Sequence, residues 1–215
     1  MTAKEATLQV WADVRCPWCW MGHRRLVRAI ADAESPVKVD YRSFLLEPQG
    51  PATGRRMIRD VALTEWGLSA ETWAHTRDRI IQEGRTDDLR IRIDTARTID
   101  SRAAHRVLKL VRAHGLDEST AWDKLFAAHL EHNLDLEDWD QLASLGTELG
   151  LNRQDVLDLA GSDLHSAEVI ADHEEARSRV IHTIPTFVHA DQILAGAQSV
   201  KDLTEFVRSA STAVV

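Results

Sequence analysis

Both cysteines of this 215-residue chain fall in one ten-residue stretch, DVRCPWCWMG at positions 13–22. The stretch marks a change of period. Before it, TLQVWADV (7–14) alternates and carries β-branched residues, as a strand does. After it, PWCWMGHRRLVRAIADA (17–33) reads as a helix, with Trp20, Val27 and Ile30 on one face and Arg24, Arg25 and Arg28 largely off it. A C-x-x-C pair at such a junction can be a redox couple, half of a metal site, a structural staple or two small hydrophobes.

The rest of the chain narrows the fold. VKVDYRSFLL (37–46) is a second alternating strand, and EPQGPATG (47–54) is a loop by composition. From about 55 to 178 the pattern reads as almost unbroken helix. Ser69 opens one helix. SRAAHRVLKLVRAHG (101–115) is amphipathic and stops at a glycine. Further helices are expected over 117–133, 135–150, 152–161 and 165–179. PTFVHA (185–190) and ILAG (193–196) return to strand character around a turn at Asp191-Gln192, and SVKDLTEFVRSA (199–210) closes as a helix. The order β-α-β, helical block, β-β-α predicts an α/β core (1–54 and 179–215) interrupted by an all-α insertion (55–178). Trp66, Trp73, Trp122 and Trp139 are expected in the helical core.

With 34 acidic and 26 basic residues, the net charge of −8 repels phosphate backbones and anionic membranes, so neither is an expected partner. No apolar run approaches the roughly 18 residues of a membrane span. The N-terminus, MTAKEATLQVWADV, lacks the apolar region of a secretory signal, which predicts a cytoplasmic location. A persistent structural disulfide is unusual there.

The geometry of a helix start gives the two thiols different roles. If Cys16 is the N-cap, Pro17 takes the first helical position, where its missing N–H is no loss. Cys19 then lies one turn on, within bonding reach of Cys16. Unpaired N–H groups and the positive dipole end favour a Cys16 thiolate, and Arg15 adds charge if it turns inward. Cys19, deeper, keeps its proton. Cys16 is then the attacking thiol and Cys19 the resolving one.

The competing readings are weaker. Zinc needs a second ligand pair, and the histidines at 129 and 132 are too close while those at 182 and 189 are too far apart. A c-type haem needs histidine after the second cysteine, where Trp20 stands. A structural staple across so short a loop gains little chain entropy. NLDLED (133–138) spaces its acids like a calcium loop, but Asp138 holds the glycine position and Ser144 the glutamate position, so helix capping is the better reading. No metal site is expected. Phosphate-loop, dinucleotide, zinc-protease and hydrolase-elbow motifs are absent.

Strand, C-P-x-C at a helix start, and a late proline opening a hairpin before a last helix resemble the thioredoxin fold. The helical insertion resembles its DsbA branch. DVRCPWCWMG together with IPTFVHADQILAGAQ (184–198) is most similar to the FrnE-like dithiol–disulfide oxidoreductases and isomerases. The likeness covers nearly the whole chain; the C-P-W-C motif is its specific part and the helical matches are weaker. It implies Cys16 as nucleophile, Cys19 as resolving thiol and Pro185 as a cis-proline lying against the dithiol. An X–Pro bond is otherwise cis in only about 5% of cases. It further implies that Pro17, Trp18, Thr183 and Ile184 contact substrate, with the Ile184 backbone free for strand addition. Two departures stand out. Val180 and Thr183 occupy places where the family usually has glycines, so the loop should be bulkier, and His182 is unusual there. His182 and Asp13 are candidate proton shuttles for Cys19, against the plainer readings of a solvated loop histidine and a polar strand end.

The sequence thus predicts a cytoplasmic thiol–disulfide oxidoreductase or isomerase, monomeric or homodimeric. It would act on a protein or small molecule bearing a thiol or disulfide. It needs no cofactor, and glutathione or another small thiol is a candidate co-substrate. Two alternatives stay open. One is a glutathione-dependent isomerase or transferase like 2-hydroxychromene-2-carboxylate isomerase or the kappa-class transferases, which commonly have serine at the first cysteine. The other is a binding module with a vestigial dithiol.

Overall fold

A computed structural model describes residues 6–34, 36–52 and 54–212, so the outer limits of the expected core, residues 1 and 215, lie outside the described residues. The sheet holds four strands in the order β2-β1-β3-β4. β1 (Ala6–Ala12) pairs parallel with β2 (Val37–Ser43) through helix α1 (Pro17–Ala33). β3 (Thr186–His189) lies antiparallel to β1, and β4 (Gln192–Ala195) antiparallel to β3. The final helix α9 (Val200–Thr212) packs on α1. β1 is central, which is why Leu8, Val10 and Trp11 are all buried. Trp11 reaches the other way from Val10 and donates its Nε1–H to the Asp172 carbonyl at 3.0 Å.

Among the described residues, seven helices run between β2 and β3: α2 (Ile58–Thr64), α3 (Ala70–Thr86), α4 (Arg102–Ala113), α5 (Glu118–Leu130), α6 (Trp139–Glu148), α7 (Arg153–Ala160) and α8 (Ser166–Ser178). Polar caps set their starts: Ser69, Asp117, Asp138 and Asn152 each accept first-turn N–H groups. α4 ends at Gly115, whose φ of 66° admits the left-handed closing turn. Polar contacts clamp the helical block to the core. Arg25 bonds Asp87 and Glu83 at the end of α3. Arg24 and Trp20 bond Asp123 on α5. Lys109, Arg42 and the Ser43 N–H converge on Asp172.

The structure corrects several sequence expectations. The helical block is broken over 87–101, where Leu89, Ile91 and Ile93 are buried and alternate with exposed Arg90 and Arg92. That period of two, with β-branched residues, belongs to a non-helical segment that turns at 93–95, and Met57 bridges to Arg97 beyond the turn. The pairing of β2 runs out just after Ser43: the Phe44 N–H still reaches the Ala12 carbonyl at 2.9 Å, but the next two turn to side chains, Leu45 to His173 and Leu46 to Asp13. α6 starts at Trp139 rather than 135, since Asp138 caps it. The hairpin turn is Ala190-Asp191, one residue earlier than expected, with His189 paired to Gln192. On α1, Val27 is exposed and the buried face is Cys19, Trp20, Leu26 and Ala29. Trp73 and Trp122 are core residues and Trp139 is partly buried, but Trp66 is 51% exposed in the loop after α2.

Candidate active site

β1 ends at Ala12, and a tight turn hands the chain to α1, with the Cys16 N–H donating to the Asp13 carbonyl at 3.0 Å. Cys16 is the N-cap with extended backbone, and Pro17 opens the helix. The Cys16 carbonyl accepts from the Cys19 N–H at 3.0 Å and the Trp20 N–H at 3.3 Å. The Cys16 side chain makes no cap hydrogen bond, so the direct N–H contact expected of its sulfur is not made with both thiols free. Cys16 is 7% exposed at the edge of a cleft, and Cys19 is 1% exposed beneath it. Burial pushes the Cys19 thiol well above its ordinary pKa, and its hydrogen bond to Cys16 and the charge there add to this. The inner sulfur therefore holds its proton until it attacks.

Below the dithiol lies a polar knot that the sequence hinted at only through Asp13. Asp13 is fully buried. Its carboxylate accepts from the Arg15 N–H (3.0 Å), the Leu46 N–H (2.9 Å) and the Ser101 hydroxyl (3.2 Å), and His105 Nε2 stands 3.6 Å away. Burial alone would raise its pKa. His105, the Arg15 charge and the Leu46 N–H outweigh that and hold the carboxyl below the ordinary range, so Asp13 is ionised. His129 on α5 is also buried, and neither ring nitrogen has a hydrogen-bond partner among the described residues. Burial, with the nearby Arg15 charge, lowers its pKa to about 4 and keeps it neutral.

The condition set on Arg15 is met, since its side chain is buried, but its charge is matched: Nη1 lies 2.6 Å from Glu47. Trp18 is partly buried, with the Arg79 guanidinium over its ring at 4.6 Å. Pro185 follows a cis bond from Ile184 and packs on α1 one turn beyond Cys19. A methyl group on Gly22 would meet the Pro185 ring at 2.6 Å, so only glycine fits there. Thr183 is exposed and its carbonyl accepts from the Thr186 hydroxyl. Among the described residues, neither backbone group of Ile184 has a backbone partner. His182 is solvent-exposed and is not part of the cleft beside Cys16.

Sequence reading missed Glu47, Ser101, His105 and His129. His105 carries a faint signal, because it shares a helix face with Ser101 and Leu108 rather than with the basic face of α4. Glu47 and His129 had none. No group of histidines, cysteines and acids among the described residues could hold a metal ion.

The DsbA-like thioredoxin domain profile matches residues 7–208, and the chain belongs to that family of thiol–disulfide proteins. No curated protein sequence matches it. Among solved structures, it is similar to a probable DsbA oxidoreductase from Streptomyces coelicolor at 23% identity, covering 96% of this chain and 90% of that one, with a TM-score of 0.88. It also resembles the cytosolic disulfide reductase DsbM from Pseudomonas aeruginosa (20% identity, 94% and 97% covered, TM-score 0.64). A 2-hydroxychromene-2-carboxylate isomerase is a further match (13% identity, 96% and 95% covered, TM-score 0.67). At these identities the likeness speaks for the fold: a DsbA-like thioredoxin fold with a helical block set into it.

Proposed function

We propose that the chain is a cytoplasmic thiol–disulfide oxidoreductase of the FrnE-like group, built as a redox core (1–54 and 179–215) with an inserted helical part (55–178). The carrying observation is the asymmetry of the dithiol. Cys16 borders an open cleft at a helix start, and Cys19 lies sealed one turn deeper with its proton held. Cys16 attacks a substrate disulfide and expels one thiol. Cys19 then loses its proton, attacks the Cys16 sulfur and releases the second. Asp13 is too acidic to be a strong base. It holds a fixed negative charge near Cys19 and receives the proton only in passing. Pro185, the Ile184 backbone, Thr183, Pro17 and Trp18 frame the approach of substrate. No helix among the described residues is long and apolar enough to cross a membrane.

The glutathione-dependent alternative draws on two fold neighbours, the chromene isomerase and DsbM, the latter also known in a structure with glutathione. The Cys19→Ser variant separates the readings. Exchange requires both sulfurs, so the variant should lose insulin-disulfide reduction and dithiol oxidation and accumulate mixed disulfides on Cys16. Wild-type rates in the variant, or chromene isomerisation with glutathione in either protein, would favour the alternative.

A further inference from the structure

The cleft beside Cys16 has a definite chemistry. It encloses about 420 Å³, within the range of small-molecule sites. Its walls are largely apolar: Trp18, Ile58, Trp66, Trp73, Ile80 and Ile93. Five of these come from the chain between β2 and α4 rather than from the strand-helix corner that carries the dithiol. Trp66 sits at the site with half its surface in water, although a large aromatic side chain gains from being covered. The one cation lining the cleft among the described residues, Arg15, is 7% exposed and paired to Glu47, which lines the same cleft. Arg79 stacks on Trp18 and is not a lining residue. An anionic ligand would therefore lose water without meeting an unmatched positive charge.

We infer that the site takes a small, neutral, aromatic or otherwise apolar disulfide rather than glutathione disulfide. The inference rests on the redox reading above. The Cys16 thiolate attacks one sulfur of R–S–S–R′, forming the Cys16–S–R bond and releasing R′–S⁻, which takes a proton from water. Cys19 then gives up its proton and attacks Cys16, releasing R–S⁻. The substrate gains two electrons and the enzyme dithiol becomes a disulfide, which dithiothreitol reduces again in an assay.

The test is single-turnover reaction of reduced protein with three probes. Dithiodipyridine is aromatic and neutral, dithiobis(nitrobenzoate) is aromatic with two carboxylates, and oxidised glutathione is charged and not aromatic. Each rate is divided by that of the same disulfide with dithiothreitol, which removes intrinsic reactivity. The neutral aromatic probe should exceed both charged ones by about tenfold, and Trp66→Ala should erase most of that preference while Trp66→Phe keeps it. Equal normalised rates, or preference for a charged probe, would overturn the inference. A second arm is independent of exchange. Dipyridyl sulfide, which has no S–S bond, should bind saturably to Cys16→Ser by calorimetry, and absence of binding also overturns it. If wild type and Cys16→Ser react alike with every probe, the redox reading fails, while the binding arm still decides the cleft.

Discussion

Cys16 has two sides, and they are built on opposite principles. Toward the protein interior it meets the Asp13 knot, where a buried carboxylate gathers three donors and a nearby imidazole. Toward solvent it meets an apolar cleft in which Arg15, the only lining cation among the described residues, is already paired. The difference separates two tasks. On the inner side burial keeps the proton on Cys19, and the knot joins the end of β1 to α4 and to the loop after β2. The outer side decides what reaches the exposed sulfur. A change on the inner side should therefore damage folding, and a change on the outer side should alter selectivity with little effect on folding.

The largest expected effect tests that division directly. Asp13→Asn removes a buried charge and leaves its donors with one oxygen instead of two. It should cost about 3 kcal/mol of stability in urea unfolding, against less than about 1 kcal/mol for the half-exposed Trp66→Ala. Similar losses at the two sites would mean that the cleft wall is as structural as the knot.

Acid sharpens the comparison next. His129 and His23 are buried and neutral, each with a pKa lowered to about 4 chiefly by burial. The unfolded chain takes up these protons near pH 6.5, the folded chain only near 4. Their contribution is intact above pH 6.5 and is lost progressively as the pH falls toward 4. His23 has a partner in the Tyr41 hydroxyl at 3.1 Å, whereas His129 has none among the described residues. His173 is likewise lowered by burial, so His129→Leu should remove about a third to a half of the stability lost across this window at little cost near neutrality. An unchanged pH profile would show that His129 is not held neutral. The buried carboxylates held below their ordinary range, Asp13 and Asp172, lose their contribution only further down, below the usual carboxylate pKa.

The smallest effect lies outside both sides of Cys16, on the loop that leads to Pro185. Val180 sits at φ 57° just after α8, in the left-handed position that closes the helix, with the Ile181 N–H bonded back to the Ala176 carbonyl. A β-branched residue is strained there, and its side chain is 71% exposed, so it gains little by packing. Val180→Gly should raise stability by about 1 kcal/mol, read as a higher thermal midpoint with the exchange rate unchanged. A loss of stability would show that the exposed valine rigidifies the loop more than it strains it.

Much of this molecule was legible along the chain. Local rules act on neighbouring residues, so Pro17 at the first helical position, the caps at Ser69 and Asp117, and the glycine stop of α4 could be read where they stand. The same rules placed Cys16 at the N-cap and Cys19 one turn inside. The 87–101 segment was also legible: LRIRI carries a period of two that a helical reading of the block passed over. Tertiary structure decided the surroundings of the dithiol. Glu47 meets Arg15 across 32 residues, Ser101 meets Asp13 across 88, and α5 brings His129 beside both charges. No periodicity encodes these encounters, because they depend on how the helical block closes over the end of β1. The cleft belongs with them. Its Trp66 and Trp73 read as core residues in sequence, and only the packing of α2, α3 and the 87–101 segment leaves a space beside them, with a reactive sulfur at its edge.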